Sequence, residues 1–203
     1  WNSKHNWDKE SVPGANDVVI LDHSQLTGAA ATAPYTVTVD TQALVKNLTI
    51  DEKVTLRIAG VDGKSAYGLI MNGKLNMLQN STLEQVAERD SLILRGAWTS
   101  AGKYRPNGQP VVFASAVGTQ QLTFPDSDTI GTMIIRGPGS LSMLGTINVK
   151  DSVVLNGGIL IGNNATIKVG GDWIPRNGVF DIRESKVYFC GKKKKKIQKI
   201  HGG

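Results

Sequence analysis

The sequence predicts an all-β chain wound as a β-solenoid, and three observations carry that prediction. Between Val111 and Leu160, short runs such as Val111-Val112-Phe113, Gln121-Leu122-Thr123-Phe124, Met133-Ile134-Ile135, Ser140–Leu144, Thr146–Val149 and Ser152–Leu155 follow one another with little but glycine and polar residues between them. These runs alternate apolar and polar residues or are briefly all apolar, as strands with one or both faces buried do. No amphipathic helical segment separates them, which points away from βαβ units and towards a stack or sandwich. The chain is 40% hydrophobic but only 6% aromatic, so Val, Ile, Leu, Ala and Met must fill thin aliphatic layers. Stacked strands joined by crossovers favour a single-stack right-handed parallel β-helix. A β-sandwich is the alternative, because Asn72-Gly73, flanked by Leu69-Ile70-Met71 and Lys74–Leu78, could close an antiparallel hairpin as well as turn a solenoid corner.

The first elements read as a cap. Trp1 and Trp7 precede a Pro13-Gly14 turn, Asn16-Asp17 and the strand Val18–Leu21. A stack of coils needs a lid over its terminal layer, so the two tryptophans are expected to cover the first layer of core; an aromatic platform for sugar is the functional alternative. After the Gly/Ala/Thr-rich stretch Thr27 to Pro34 come strands at Tyr35–Val39, Val45–Ile50 and Val54–Ile58. Residues Ser81 to Glu88 are read as the one helical turn, and Ser91–Leu94 as strand again. Gly96 to Pro110 is read as the longest irregular segment, and its Trp98, Tyr104, Arg105 and Asn107 are the candidate glycan or partner contacts, since long loops on regular scaffolds carry binding specificity. The bland reading is a surface excursion with one aromatic in the core. Strand-like runs continue to Lys186–Phe189, punctuated by Gly-Gly and Asn-Gly pairs suited to sharp turns. The expected organisation is a cap and first strand over 1–34, a first solenoid unit over 35–110 and a second over 111–203, continuing in a longer parent protein. An echo of Val111–Leu122 in Val187–Ile200, about 76 residues on, suggests a unit of several rungs used more than once.

The lone Cys190 forms no internal disulfide, and no Cys/His set has metal-ligand spacing, so no metal or cofactor is implied. No 18-residue apolar run predicts membrane insertion, and a chain starting at Trp1 is expected to be a processed product or a piece of something longer. Six lysines, Lys192, Lys193, Lys194, Lys195, Lys196 and Lys199, account for the whole net charge of +6. This basic patch could neutralise phosphate or sulfate, but it contains no interleaved aromatics for base stacking, which argues against a nucleic-acid partner and for a solvated arc.

Trp1…Asn6-Trp7…Val12-Pro13-Gly14-Ala15-Asn16-Asp17-Val18-Val19-Ile20, with Val45-Lys46-Asn47-Leu48-Thr49-Ile50 further on, resembles the start of β-solenoid regions in large secreted surface proteins of Bacteroidetes. Gly171-Asp172-Trp173, Gly178-Val179-Phe180, Val187-Tyr188-Phe189 and Gln198-Lys199-Ile200 are similar to the recurring coil signature of those proteins. The chain departs from it at Lys192 to Lys196, where small polar residues are usual. The resemblance implies a secreted, cell-surface, adhesin-type protein, often exported by the type IX system, whose partners are other domains of the same protein, surface glycans or other surface proteins. It also implies O-glycosylation at Asp-Ser/Thr-apolar tripeptides, with Ser91, Thr129 and Ser152 as the candidate acceptors.

No catalytic constellation is identifiable. Asp126, Asp128, Asp172 and Asp181 lie scattered in turns, and His5, His23 and His201 are far apart. Asp126-Ser127-Asp128 lacks the glycine and distal glutamate of a calcium loop. The expected function is therefore structural and adhesive, with loops displayed on a rigid solenoid and no enzymatic turnover. A carbohydrate-active β-helix enzyme or glycan-binding module is the competing reading.

Overall fold

A computed structural model describes residues 1–24, 26–59, 68–86 and 91–191, and in it the chain is a parallel β-solenoid. Two short 3-10 turns, Lys4–Asn6 and Gly28–Ala31, are its only described helices. The first coil comprises β1 (Val18–Leu21), β2 (Tyr35–Val39) and β3 (Ala43–Val45), and the second β4 (Asn47–Ile50), β5 (Val54–Ile58) and β6 (Gly68–Met71). The third holds β7 (Leu75–Met77), β8 (Thr82–Gln85) and β9 (Ser91–Leu94), and the fourth β10 (Trp98–Ser100), β11 (Lys103–Arg105) and β12 (Pro110–Phe113). The fifth is β13 (Thr119–Thr123), β14 (Thr129–Ile130) and β15 (Thr132–Arg136), followed by β16 (Ser140–Leu144), β17 (Thr146–Val149) and β18 (Val153–Asn156). Strands β19 (Ile159–Ile161), β20 (Thr166–Val169) and β21 (Trp173–Pro175) complete the seventh coil, and β22 (Val179–Asp181) and β23 (Lys186–Phe189) begin an eighth.

Each coil contributes one strand to each of three sides. Sheet A takes the first strand of every coil and sheet C the third. The second side is divided between sheet B (β2, β5, β8, β11) and sheet D (β14, β17, β20, β23). Every described pairing is parallel and joins strands one coil apart. That excludes the sandwich: Asn72-Gly73 is a corner between β6 in sheet C and β7 in sheet A.

Side-chain alternation makes the interior a set of vertical rows. In sheet C, Ala43, Leu69, Leu92, Val111, Met133, Val153 and Trp173 stand in register, and beside them Val45, Met71, Leu94, Phe113, Ile135 and Leu155, all buried. The rows are aliphatic because a strand centred between identical neighbours about 4.8 Å above and below leaves space for branched side chains. Between them the outward row Leu44, Ile70, Ile93, Val112, Ile134, Val154 and Ile174 is half-buried by its own neighbours. Registered positions in sheet A fall 29, 27 and 23 residues apart at Val19, Leu48, Leu75 and Trp98. In sheet C the late spacing is 20, at Met133, Val153 and Trp173.

The repeat is thus one coil of about twenty residues at the C-terminal end, not a 76-residue unit. Val111–Phe113 belongs to β12 of sheet C and Val187–Phe189 to β23 of sheet D, so the two runs occupy different sides; the rest of that echo, from Lys192 onwards, lies outside the described residues. The boundary expected at 110/111 falls inside β12, which pairs with β9 on one side and β15 on the other. Two further expectations are corrected. Ser81 to Glu88 contains no helical turn among its described residues: β8 alternates Leu83 and Gln85 inward with Thr82 and Glu84 outward, and ladders to β5 and β11 on its two sides outweigh its weak β propensity. Gly96 to Pro110 is not an irregular loop. It holds β10 and β11, each three residues long, joined at an Ala101-Gly102 corner where a side chain on Gly102 would collide with Ser81.

The tryptophan cap is present. Trp1 is 5% exposed and packs edge-on against Trp7 at 4.9 Å between ring centroids, and the Trp7 indole N–H donates to the Trp1 carbonyl at 3.0 Å. Because the rows are continuous, truncating one inward side chain opens a void that its vertical neighbours cannot close. Phe113→Ala is expected to cost about 3–5 kcal/mol, read as a lowered midpoint of chemical denaturation; a midpoint within error of the parent would contradict the packing described.

Candidate functional site

Among the described strands the ladders are interrupted once, on the second side, where sheet B ends at β11 and sheet D begins at β14. β14 is only two residues long and follows directly on the turn Pro125–Asp128, in which the Asp128 N–H donates to the Pro125 carbonyl at 3.0 Å. At this edge the Tyr104 backbone N–H donates to Asp128 Oδ2 at 2.6 Å, so a carboxylate stands where the next strand's carbonyl would be. Burial pushes the Asp128 carboxyl above its ordinary value, against the lowering effect of that hydrogen bond and of the Lys103 charge. Beneath the break Trp98, Tyr104 and Phe124 form an edge-to-face cluster, with centroids 5.1, 4.8 and 6.1 Å apart. The Tyr104 hydroxyl donates to Gln85 Oε1, and burial drives the phenol far above its ordinary pKa.

Above this floor is an open cleft of about 690 Å³. Arg57, Lys103, Arg105 and Lys150 line it, with Glu84 and Asp128 as its carboxylates among the described residues. Glu84 accepts from Arg57 Nε at 2.6 Å and lies 3.6 Å from Arg105 Nη1, in register across β5, β8 and β11. One carboxylate therefore serves two guanidinium groups, and Lys103 and Lys150 add charge that no described carboxylate balances at ion-pair distance. At the rim Asn107 adopts φ +46° ahead of Gly108, and its side-chain amide donates to the Val86 carbonyl at 2.7 Å, pinning the turn against the coil before it. An open cleft with excess fixed positive charge suits an anionic or polyhydroxylated ligand.

The sequence-predicted contacts are divided by this geometry. Arg105 and Asn107 are exposed at the cleft, and Thr129 joins them there as part of β14. Trp98 is fully buried and Tyr104 is 3% exposed, so their rings are core and not contacts; the fourth and fifth coils need large side chains where the second side stops being laddered. Ser91 opens β9 of sheet C and Ser152 immediately precedes β18 of the same sheet, both half-buried, the Ser152 hydroxyl accepting from the Asp172 backbone N–H at 3.1 Å. The basic patch Lys192 to Lys196 with Lys199 lies outside the described residues. Asp126 and Asp128 share one turn, whereas Asp172 and Asp181 lie on other sides. The residues missed from sequence are Arg57, Glu84, Lys103 and Lys150. The available signal was alternation: Arg57 and Glu84 each follow an inward Leu by one position, which puts both outward on one side. No protein-family model, curated protein or solved structure matches the chain, so the cleft has to be understood from its own chemistry.

The raised Asp128 carboxyl has a consequence for pH. A group whose folded value exceeds its unfolded value contributes stability that is fully present below the unfolded value of 3.8 and is lost as pH rises through the folded one. Asp128→Asn keeps an acceptor for Tyr104 N–H but removes the titration. Thermal unfolding followed between pH 3 and 7 is expected to show a shallower loss of Tm with rising pH in the variant than in the parent, and parallel profiles would refute the assignment.

Proposed function

We propose that the chain is a structural and adhesive segment of a secreted, cell-surface protein, in which a stiff β-solenoid spaces and displays a contact site and performs no turnover. The observation that carries this reading is the cleft between β11 and β14, where Arg57, Lys103, Arg105 and Lys150 gather at the gap between sheets B and D on the second side. Continuous ladders on the other two sides support the rod-like role, since bending would have to break parallel hydrogen bonds in both. The favoured ligand is an acidic surface glycan, held by its carboxylate or sulfate groups on the exposed arginines and lysines. The motifs that resemble secreted Bacteroidetes solenoids support extracellular placement, type IX export and association with further domains of the same protein. Glycosylation at Ser91, Thr129 and Ser152 belongs to the same reading.

A carbohydrate-active enzyme is the second reading, and one observation favours it. Asp128 is held towards its protonated form while Glu84 is clasped by two arginines, and paired carboxyl groups in unlike environments are the requirement of acid–base glycoside chemistry. A glycan array and a depolymerisation assay on the same protein separate the two. The adhesive reading expects retention on acidic glycans, weakened about ten-fold or more by the pair Arg57→Gln and Arg105→Gln, with no reducing ends released. Release of reducing ends that disappears in Asp128→Asn would overturn it.

A further inference from the structure

The corner that carries the chain from sheet C back to sheet A differs from the other two in charge. Over all seven complete coils, the segments 43–46, 68–74, 91–97, 110–118, 132–139, 153–158 and 173–178 contain no aspartate or glutamate, although the chain has 17 acidic residues. The same segments hold Lys46, Lys74, Arg95, Arg136 and Arg176. Four of these stand at one position, the residue that follows the last inward side chain of each sheet C strand. Read coil by coil, that row is Lys46, Asn72, Arg95, Ala114, Arg136, Asn156, Arg176. Cations occupy the odd coils and neutral residues the even ones. All four cations are exposed, and no described carboxylate lies within ion-pair distance of any of them; the Arg95 guanidinium donates to Asn72 Oδ1 at 2.8 Å and so leans along the row.

We infer that this edge is a second binding surface, for a linear anionic polysaccharide lying along the solenoid axis with an acidic group on alternate sugars. Strands in a ladder are about 4.8 Å apart, so cations on alternate coils recur at roughly 10 Å. A linear polymer whose sugars advance by about one strand spacing, with a carboxylate on every second sugar, would meet every cation in turn. Several of the edge's turns are built on glycines whose backbones stack directly, a Cβ on Gly96 colliding with the Gly73 carbonyl and one on Gly178 pressing on Gly157, while the fourth coil's corner projects further, with Val117 84% exposed. The outward row of sheet C, from Leu44 to Ile174, supplies an apolar floor beside the cations for the C–H faces of sugars. Nucleic acid is the poorer match: its phosphates recur about every 3.4 Å along a strand, and no aromatic ring stands in the row for base stacking. The surface is separate from the cleft on the second side and does not depend on it.

The test is binding of the intact chain, at low and moderate salt, to hyaluronan, whose carboxylates lie on alternate sugars. Polygalacturonate, with a carboxylate on every sugar, neutral dextran, single-stranded DNA and vesicles of anionic lipid are the comparison ligands. Hyaluronan is expected to bind, to weaken with salt, and to lose about ten-fold or more in affinity in the double variant Arg95→Gln with Arg136→Gln. The Arg57→Gln and Arg105→Gln pair serves as a background without the cleft's arginines, in which adding Arg95→Gln and Arg136→Gln is expected to weaken hyaluronan by about the same factor as in the parent, and this keeps failure here distinct from failure of the cleft. The Lys46→Gln and Arg176→Gln pair, at the two ends of the row, is expected to weaken long hyaluronan chains more than short ones, and an unchanged Tm in either double variant shows that folding is intact. Unchanged affinity in the Arg95/Arg136 variant, equal binding of dextran, polygalacturonate binding as tightly per carboxylate, or preference for DNA or vesicles would each overturn the inference.

Discussion

Everything in this molecule depends on the parallel register between consecutive coils. Each inward side chain rests on the one a coil earlier, so a slip of a single residue would turn whole rows such as Ala43 to Trp173 out to solvent. That cost falls on every strand at once and leaves the corners free. Coil length accordingly varies from 29 residues at the start to 20 near the end without disturbing the rows, because the extra residues are taken up between strands. The constraint also decides where function can sit: inward positions are spoken for, and only corners, outward rows and faults in a ladder can change without unpacking the stack.

The fault between β11 and β14 shows how a ladder can stop safely. A buried backbone N–H left without a partner costs about 1–3 kcal/mol, and Asp128 removes that cost at Tyr104 with a 2.6 Å hydrogen bond. The substitution has its own penalty, visible as the upward displacement of the Asp128 carboxyl by burial. The wider space beneath is filled by Trp98, Tyr104 and Phe124, three of the few aromatic residues in an aliphatic protein. The indole N–H of Trp98 has no hydrogen-bond partner among the described residues, a polar group given up so that a large ring can fill the gap. Packing need and open cleft are thus two consequences of one interruption.

How much of this was legible in the sequence follows from the length scale of each feature. The all-β class and the strands from Val111 to Leu155 were readable because period-2 alternation persists over four or five residues. The strands at Trp98–Ser100 and Lys103–Arg105 were not, because three residues between glycines carry too little pattern to separate strand from loop. The coil period escaped for a related reason: its length drifts along the chain, so self-comparison finds chance echoes such as Val187–Phe189 before the true repeat. At the cleft, Arg105 and Asn107 were found by local composition, whereas Arg57 and Lys150 come from distant coils. They meet only through register, which no single stretch displays.

The charge pattern along the sheet C to sheet A edge has two separable parts. Tight corners explain the first, the lack of acids: turns whose backbones stack in contact admit glycine in preference to the aspartates that open the wider corners at Asp22, Asp51 and Asp126. They do not explain the second. The row position after each sheet C strand lies on the outward side of the chain, where any hydrophilic residue would serve the fold, yet Lys or Arg stands there on coils one, three, five and seven and never on two, four or six. Solubility asks for charge but not for one sign at a fixed period, and like charges along one edge repel one another. An alternating, acid-free row is therefore a cost to the isolated chain, and a periodic anion laid against it is the simplest physical way for that cost to be offset.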